Sequence, residues 1–196
     1  MKRIVTSIAA IIALSLPVIA SASSWKIDAD HSNVGFKVRH LMVSNVKGSF
    51  EKVAGVLELN DKDITKSKVD VTIDTASINT NAAKRDEHLR SADFFDVAKY
   101  PTMTFVSKSV AKAGKKLKVT GNLTLHGVTR PVVLDVDALT KESKDPWGNF
   151  RRGTTATTTI NRKDFGLVWN AALETGGVAV GEEIAIILEI ELIKNK

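Results

Sequence analysis

Ile184, Ile186, Leu188, Ile190 and Leu192 fill every second position near the end of the chain, with Glu189 and Glu191 between them. A period of two places these residues on one face of an extended strand, and the β-branched content favours strand over helix. The same alternation recurs upstream. Val34, Phe36 and Val38 oppose Lys37 and Arg39, and Val46, Gly48 and Phe50 continue the theme. Val69, Val71 and Ile73 alternate with Asp70, Thr72 and Asp74, and Leu117, Val119, Gly121, Leu123 and Leu125 with Lys118, Thr120, Asn122 and Thr124. Thr154 to Ile160 is a β-prone threonine run. Turn residues punctuate the pattern at Asn60-Asp61-Lys62, Ala113-Gly114-Lys115, Asp145-Pro146-Trp147-Gly148 and Gly176-Gly177. One stretch, Asn81 to Arg90, has helix formers and no alternation, which predicts a short helix with Asn81 as its cap. Many short strands and one helix argue for an antiparallel sandwich or a closed barrel in a single domain.

The chain starts with Lys2 and Arg3, then a mostly apolar run from Ile4 to Ala20, then the small residues Ala20-Ser21-Ala22. This is the layout of a cleaved secretory signal over residues 1–22, leaving 23–196 as the folded domain in a bacterial envelope. There is no cysteine among the 196 residues, so a disulfide framework, a cysteine nucleophile and Cys-bound zinc are all excluded. An exported domain without such staples relies on its core.

Signatures of chemistry are sparse. The chain carries no Gly-x-Ser-x-Gly elbow, no His-Glu-x-x-His helix and no phosphate-cradling glycine loop. Its four histidines, His31, His40, His88 and His126, lack zinc-like spacing. Asp30-His31 makes a poor acid–base dyad, because neighbours on a strand face opposite ways. No catalytic residue and no metal ligand is assigned, and the chain reads as a binding protein rather than an enzyme. The basic residues are scattered, which argues against nucleic acid. Lys112, Lys115, Lys116 and Lys118 gather at one hairpin; this is either a solvated turn or a surface suited to transient contact with anionic lipid.

Four ordered stretches are distinctive together. They are Asp30-His31-Ser32-Asn33-Val34-Gly35-Phe36-Lys37-Val38-Arg39-His40-Leu41-Met42 followed by Val46-Lys47-Gly48-Ser49-Phe50; His88-Leu89-Arg90-Ser91-Ala92-Asp93-Phe94-Phe95-Asp96 with Tyr100-Pro101; Gly121-Asn122-Leu123-Thr124-Leu125-His126-Gly127-Val128-Thr129-Arg130-Pro131; and Asn161-Arg162-Lys163-Asp164-Phe165-Gly166. Their order and spacing over residues 25–193 resemble the YceI-like family of polyisoprenoid-binding proteins. The resemblance implies an all-β fold, an eight-stranded antiparallel lipocalin-like barrel with one short helix. It also implies exported, periplasmic proteins that hold a long isoprenoid or similar amphiphile in the barrel interior, with no other cofactor.

Placed on these motifs by chemistry, the candidate ligand-binding residues are Phe36, Val38, Met42, Phe50, Phe94, Phe95, Met103, Phe105, Phe165 and Trp169 for the apolar chain. Arg39, His40, Arg85 and His88 are the candidates for a polar rim, with ordinary surface charge as the competing reading. Phe94 and Phe95 cannot face the same way in extended chain, so one lines the mouth while the other packs beneath the helix. Periodicity does not separate a hollow barrel from one plugged by its own side chains. Two other functions stay open. One is an envelope enzyme in which Asp30, His31, Arg162 and Asp164 converge at one barrel end; the other is a stress protein with a filled core. A monomer and a homodimer are both compatible with Ile187 and Ile193 on the acidic face of the last strand.

Overall fold

A computed structural model describes residues 22–174 and 176–196, so the predicted export segment 1–22 lies outside the described residues except for Ala22. The strands are β1 (Ala22–Ile27), β2 (Asn33–His40), β3 (Ser44–Phe50), β4 (Val53–Asn60), β5 (Lys68–Asp74), β6 (Ile78–Asn79), β7 (Thr102–Ala113), β8 (Lys116–Leu125), β9 (Val128–Asp137), β10 (Ser143–Lys144), β11 (Phe150–Asn161) and β12 (Val180–Lys194). One α-helix, α1 (Ala83–Arg90), separates β6 from β7.

Eight of these strands form a closed antiparallel ring in the order β1, β4, β5, β7, β8, β9, β11, β12, with β12 pairing back onto β1. The expected eight-stranded barrel with one short helix is therefore what the chain forms. Its closing strand is the one with the strongest alternation. β12 pairs with β11 from Asn161↔Glu183 to Arg151↔Ile193, while its other edge pairs first with β2 and then with β1. β2, β3 and β6 prolong the walls of β1, β4 and β5 past a bend. α1 and the segment leading to β7 follow β6, and Thr75 N–H donates to Pro101 O at 2.9 Å across the gap.

The two ends differ. At one lie the start of β1, the Gly114 turn, the 138–149 loop and the C-terminus. Trp25 and Leu192 are both 0% exposed there. The Arg152 guanidinium and the Lys194 ammonium stand 5.3 and 5.4 Å from the Trp25 ring centre. The buried indole, with two cations against its ring, makes this end a plug. At the opposite end lie the β2–β3 turn, the His126-Gly127 turn, α1 and the 162–179 segment.

The bend between β1 and β2 departs from the sequence expectation. Ala29–His31 is a 3-10 turn, not a strand, and His31 Nδ1 meets Asp28 Oδ2 at 2.9 Å rather than Asp30. Arg151 holds this bend in place. Its Nη1 donates to Asp28 Oδ2 at 2.6 Å and to Glu191 Oε1 at 2.5 Å, and its Nε donates to Asp145 Oδ2 at 2.7 Å. The helix departs too. Asn81 takes a left-handed backbone (φ 59°), and Ala82, not Asn81, is the cap residue. The buried Asp86 carboxylate instead accepts from Thr80 N–H at 2.9 Å, tying the helix back to β6.

The Arg151 cluster gives a pH signature. Burial by itself would raise the Asp145 carboxyl, but hydrogen bonds from Arg151, from the Asn149 side chain and from the backbone N–H groups of Asn149 and Trp147 outweigh it and hold Asp145 at about 2. A depressed folded-state value contributes stability above the ordinary carboxylate range, near pH 4, and that contribution disappears as pH falls through about 2. Arg151→Ala should lower the thermal midpoint most at neutral pH, with the gap to the parent closing below about pH 4. Paired melting curves across that range check it, and a pH-independent gap would refute it.

Candidate functional site

Register decides which residues face inward. Partners in an antiparallel pair share a face, so the pairs Ile184↔Val38, Ile186↔Phe36 and Leu188↔Val34 put the apolar row of β12 and that of β2 on the barrel interior. Val46, Gly48 and Phe50 of β3 join them, as do Val71 and Ile73 of β5 with Phe105 and Met103 of β7. Gly121, Leu123 and Val119 of β8 oppose Val132, Arg130 and Leu134 of β9 on the same face.

Two inward glycines govern where the large rings lie. A Cβ on Gly48 would sit 2.5 Å from Phe36 Cζ, and a Cβ on Gly121 would overlap the Phe105 ring. The outer edge of each phenylalanine ring therefore sits over a glycine on the neighbouring strand, in space that a side chain there would fill. The inward residues Phe36, Val38, Val46, Ile184, Ile186, Leu188 and Ile190 are only half-buried although they face the interior. Close-packed cores leave no such accessibility on large apolar side chains. These residues lie along β2, β3 and β12, towards the end opposite the Trp25 plug.

That end is covered by an aromatic layer. Phe95 packs edge-on against Phe50 with centres 5.6 Å apart, so it faces the interior. Phe94 turns the other way and packs with His88 and Trp169, each at 5.0 Å. His88 Nε2 lies 2.9 Å from Asp93 Oδ2, and its ring also meets Trp169 at 5.0 Å. Helix α1 is thus joined to the 166–179 segment through one small cluster of rings. Phe165, 2% exposed, closes the layer from the 3-10 turn after β11.

The residues selected from sequence fall into three groups. Phe36, Val38, Phe50, Met103 and Phe105 line the interior, with Phe95 above them. His40, His88, Phe94, Phe165 and Trp169 belong to the covered end. Arg39, Arg85 and Met42 point elsewhere. Arg39 is on the outer wall, where Nη2 donates to Met42 O at 2.7 Å. Arg85 donates to Thr80 Oγ1 at 2.7 Å and Thr80 O at 2.8 Å, which commits its charge to the helix approach. Met42 sits exposed at the β2–β3 turn. The β12 row lines the interior too, and its alternation alone marks it in the sequence. The Gly48 and Gly121 seats carry no local signal, because the rings that fill them come from other strands.

Two clefts of about 370 Å³ each open on the wall. One separates β9 from β11, which pair only at Ala156↔Val136 and Thr157↔Asp135. The other lies on the outer face beside Lys37, Arg39, Met42 and Glu183. Neither runs along the axis.

The proposed acid–base convergence does not occur. His31 sits by Glu191, whereas the buried Arg162 donates through Nε to Gly181 O at 2.9 Å. Those two positions are ten residues apart on one strand, roughly 30 Å. Asp28, His31 and Glu191 approach one another closely enough for a metal, but the Arg151 guanidinium already occupies the space between the two carboxylates.

Comparison with known proteins fits this geometry. The YceI-like domain profile matches residues 25–192. Protein YceI of Salmonella newport is 42% identical over 179 residues, covering 90% of both chains. The crystal structure of the Campylobacter jejuni YceI protein superposes with a TM-score of 0.68 at 36% identity, over 86% of this chain and 96% of that one. A polyisoprenoid binding domain from Saccharophagus degradans shares the fold, with a TM-score of 0.64 at 17% identity over 88% and 99% of the two chains. The chain belongs to the YceI family.

Proposed function

We propose that the protein is an exported, periplasmic carrier or store for a long isoprenoid lipid, such as an isoprenoid quinone or a polyprenyl phosphate, and not an enzyme. The observation that carries this reading is the row of half-buried, inward-facing aliphatic side chains on β2, β3 and β12, with Phe36 and Phe105 seated over Gly48 and Gly121. An apolar chain leaves water at about 0.8 kcal/mol per buried CH₂, so it needs a dry, smooth wall and few hydrogen bonds. The inward rows of β2, β7 and β12 supply such a wall. The shared fold with a polyisoprenoid binding domain from Saccharophagus degradans supports the same ligand class. The chain would enter from the end opposite Trp25, with its head group at the aromatic cover near His40 and His88.

The test is direct. Organic extraction and native mass spectrometry of freshly purified protein should release a long isoprenoid, or the emptied protein should take one up from detergent dispersion. Recovery of no lipid together with no uptake of quinone or polyprenyl phosphate rejects the proposal.

A filled-core reading has one observation in its favour: the two clefts of about 370 Å³ lie on the wall. Ile186→Trp separates the two. In a hollow barrel the indole is tolerated and displaces the lipid, so uptake falls at least tenfold with little change in the melting midpoint. In a filled barrel the added volume is overpacking and costs about 1–3 kcal/mol, with no uptake to lose.

A further inference from the structure

The β2–β3 turn carries an unusual choice of residues. Val43 N–H donates to His40 O at 3.1 Å, and the two residues between, Leu41 and Met42, have φ of 48° and 61°. Positive φ at both central positions is the geometry of a type I′ turn, which favours Asn-Gly. Here it holds two bulky apolar residues in the left-handed region, a conformation that large side chains disfavour. The side chains do not gain burial in return. Leu41 is 40% exposed, Met42 41% and Val43 75%, and Val168 at the same barrel end is 63% exposed. The turn is braced: Leu41 N–H donates to Ala179 O at 2.8 Å, and Arg39 donates to Met42 O.

The wall behind this tip is cationic. Arg39 stands opposite Asn45, and Lys37 stands directly opposite Lys47. Like charges placed face to face across a strand pair repel. Among the described residues none of these three cations has an ion-pair partner, and of the acids beside them Glu182 is engaged by Lys163. Glu183 is the remaining acid in that cleft. The Arg39 guanidinium reaches the tip itself through its bond to Met42 O, and Lys37 lies two residues farther back along β2, about 7 Å at strand rise. Apolar groups of interfacial segments bury about 5–10 Å into the headgroup region, which would bring Arg39 to phosphate level with Lys37 and Lys47 just above it.

We propose that Leu41, Met42 and Val43 form a docking tip that seats this end of the barrel on an anionic lipid bilayer, with Arg39, Lys37 and Lys47 meeting the lipid phosphates. This moves the membrane contact away from the lysine hairpin considered from sequence. That hairpin is at the opposite end, and Lys116 and Lys118 are paired there with Asp137 and Asp135. Trp147, 80% exposed at that same end, is the competing anchor.

The experiment is co-sedimentation of the full mature chain with vesicles of phosphatidylglycerol and phosphatidylethanolamine in equal parts, against phosphatidylcholine alone. The double variant L41N/M42G puts the favoured residues into the turn, so it should fold as well as the parent or better, which a melting curve confirms. Its vesicle partition should drop at least tenfold. K37Q/R39Q/K47Q should lose roughly a hundredfold on the anionic vesicles, at about fivefold per basic residue, and change little on phosphatidylcholine. Unchanged binding by a folded L41N/M42G, or loss only on Trp147→Ala, overturns the proposal. Uptake of isoprenoid from detergent is scored separately and should be unaffected by the tip variant, so a failure of docking is distinguishable from a failure of lipid binding.

Discussion

Closure by β12 is the constraint on which the rest of the molecule depends. One strand must satisfy β11 along nearly its whole length and hand its other edge from β2 to β1 after Glu189, near its C-terminal end. A continuous edge can be shared in this way only if the partner chain bends between its two halves without losing register. The Asp28–Arg151–Glu191 contact sits at that bend, joining the end of β1, the start of β11 and β12. Without ring closure the sheet would expose long apolar edges, and there is no cysteine to staple it instead. Closure also gives the interior its shape, because every alternate residue of eight strands must point to one axis.

The two ends of that axis are built differently, and the difference has a physical logic. The Trp25 end is dense and locked by direct strand pairing on both sides of the indole, with cations over the ring. The other end is covered by elements that do not pair with the ring of strands: α1, the Phe94-Phe95 segment and the 166–179 segment. Apart from isolated hydrogen bonds, such as Leu41 N–H to Ala179 O and the Asn170 side chain to Val180, their contacts are side chain on side chain, through His88, Phe94, Phe95 and Trp169. Packing of that type opens locally at lower free energy than a hydrogen-bonded ladder does. The ring-covered end therefore opens more readily than the tryptophan end.

Much of this was readable in the chain. The alternating rows gave strand identity and inward face for β2, β5, β8 and β12, because a period of two survives whatever the neighbouring strands are. The glycines at 48 and 121 were visible as gaps in those rows. What they are gaps for was not visible, since Phe36 and Phe105 reach them across strand pairs whose register depends on the closed ring. The bend was misread for the same reason. Asp30 and His31 read as strand neighbours, but Arg151, bonded to Asp28 from 123 residues away, supplies the charge that stabilises a 3-10 turn there. Asn81 shows a local failure: a good cap residue took the left-handed backbone position instead, and the buried Asp86 anchored the helix start. The Phe94-Phe95 pair was legible in part. Opposite facing follows from adjacency, but which ring faces Phe50 depends on where the helix lands.

The exposed tip and the apolar interior make sense together as one physical problem. A chain of several isoprene units is held from water by a free energy that grows with every CH₂, about 4 kcal/mol per five-carbon unit at the usual rate per group. Passing such a chain through bulk water between membrane and barrel would impose that whole penalty as a barrier. Bringing the barrel end onto the bilayer removes most of it, because the chain then moves between two apolar surroundings. The protein would need a mouth that tolerates lipid on one side and water on the other, with apolar residues at its apex and cations one level back. A turn optimised only for folding has no reason to carry Leu-Met where Asn-Gly is favoured, and an apex optimised only for solubility has no reason to expose three apolar side chains in a row. Both departures sit in the same few residues, on the strand pair that forms the interior wall.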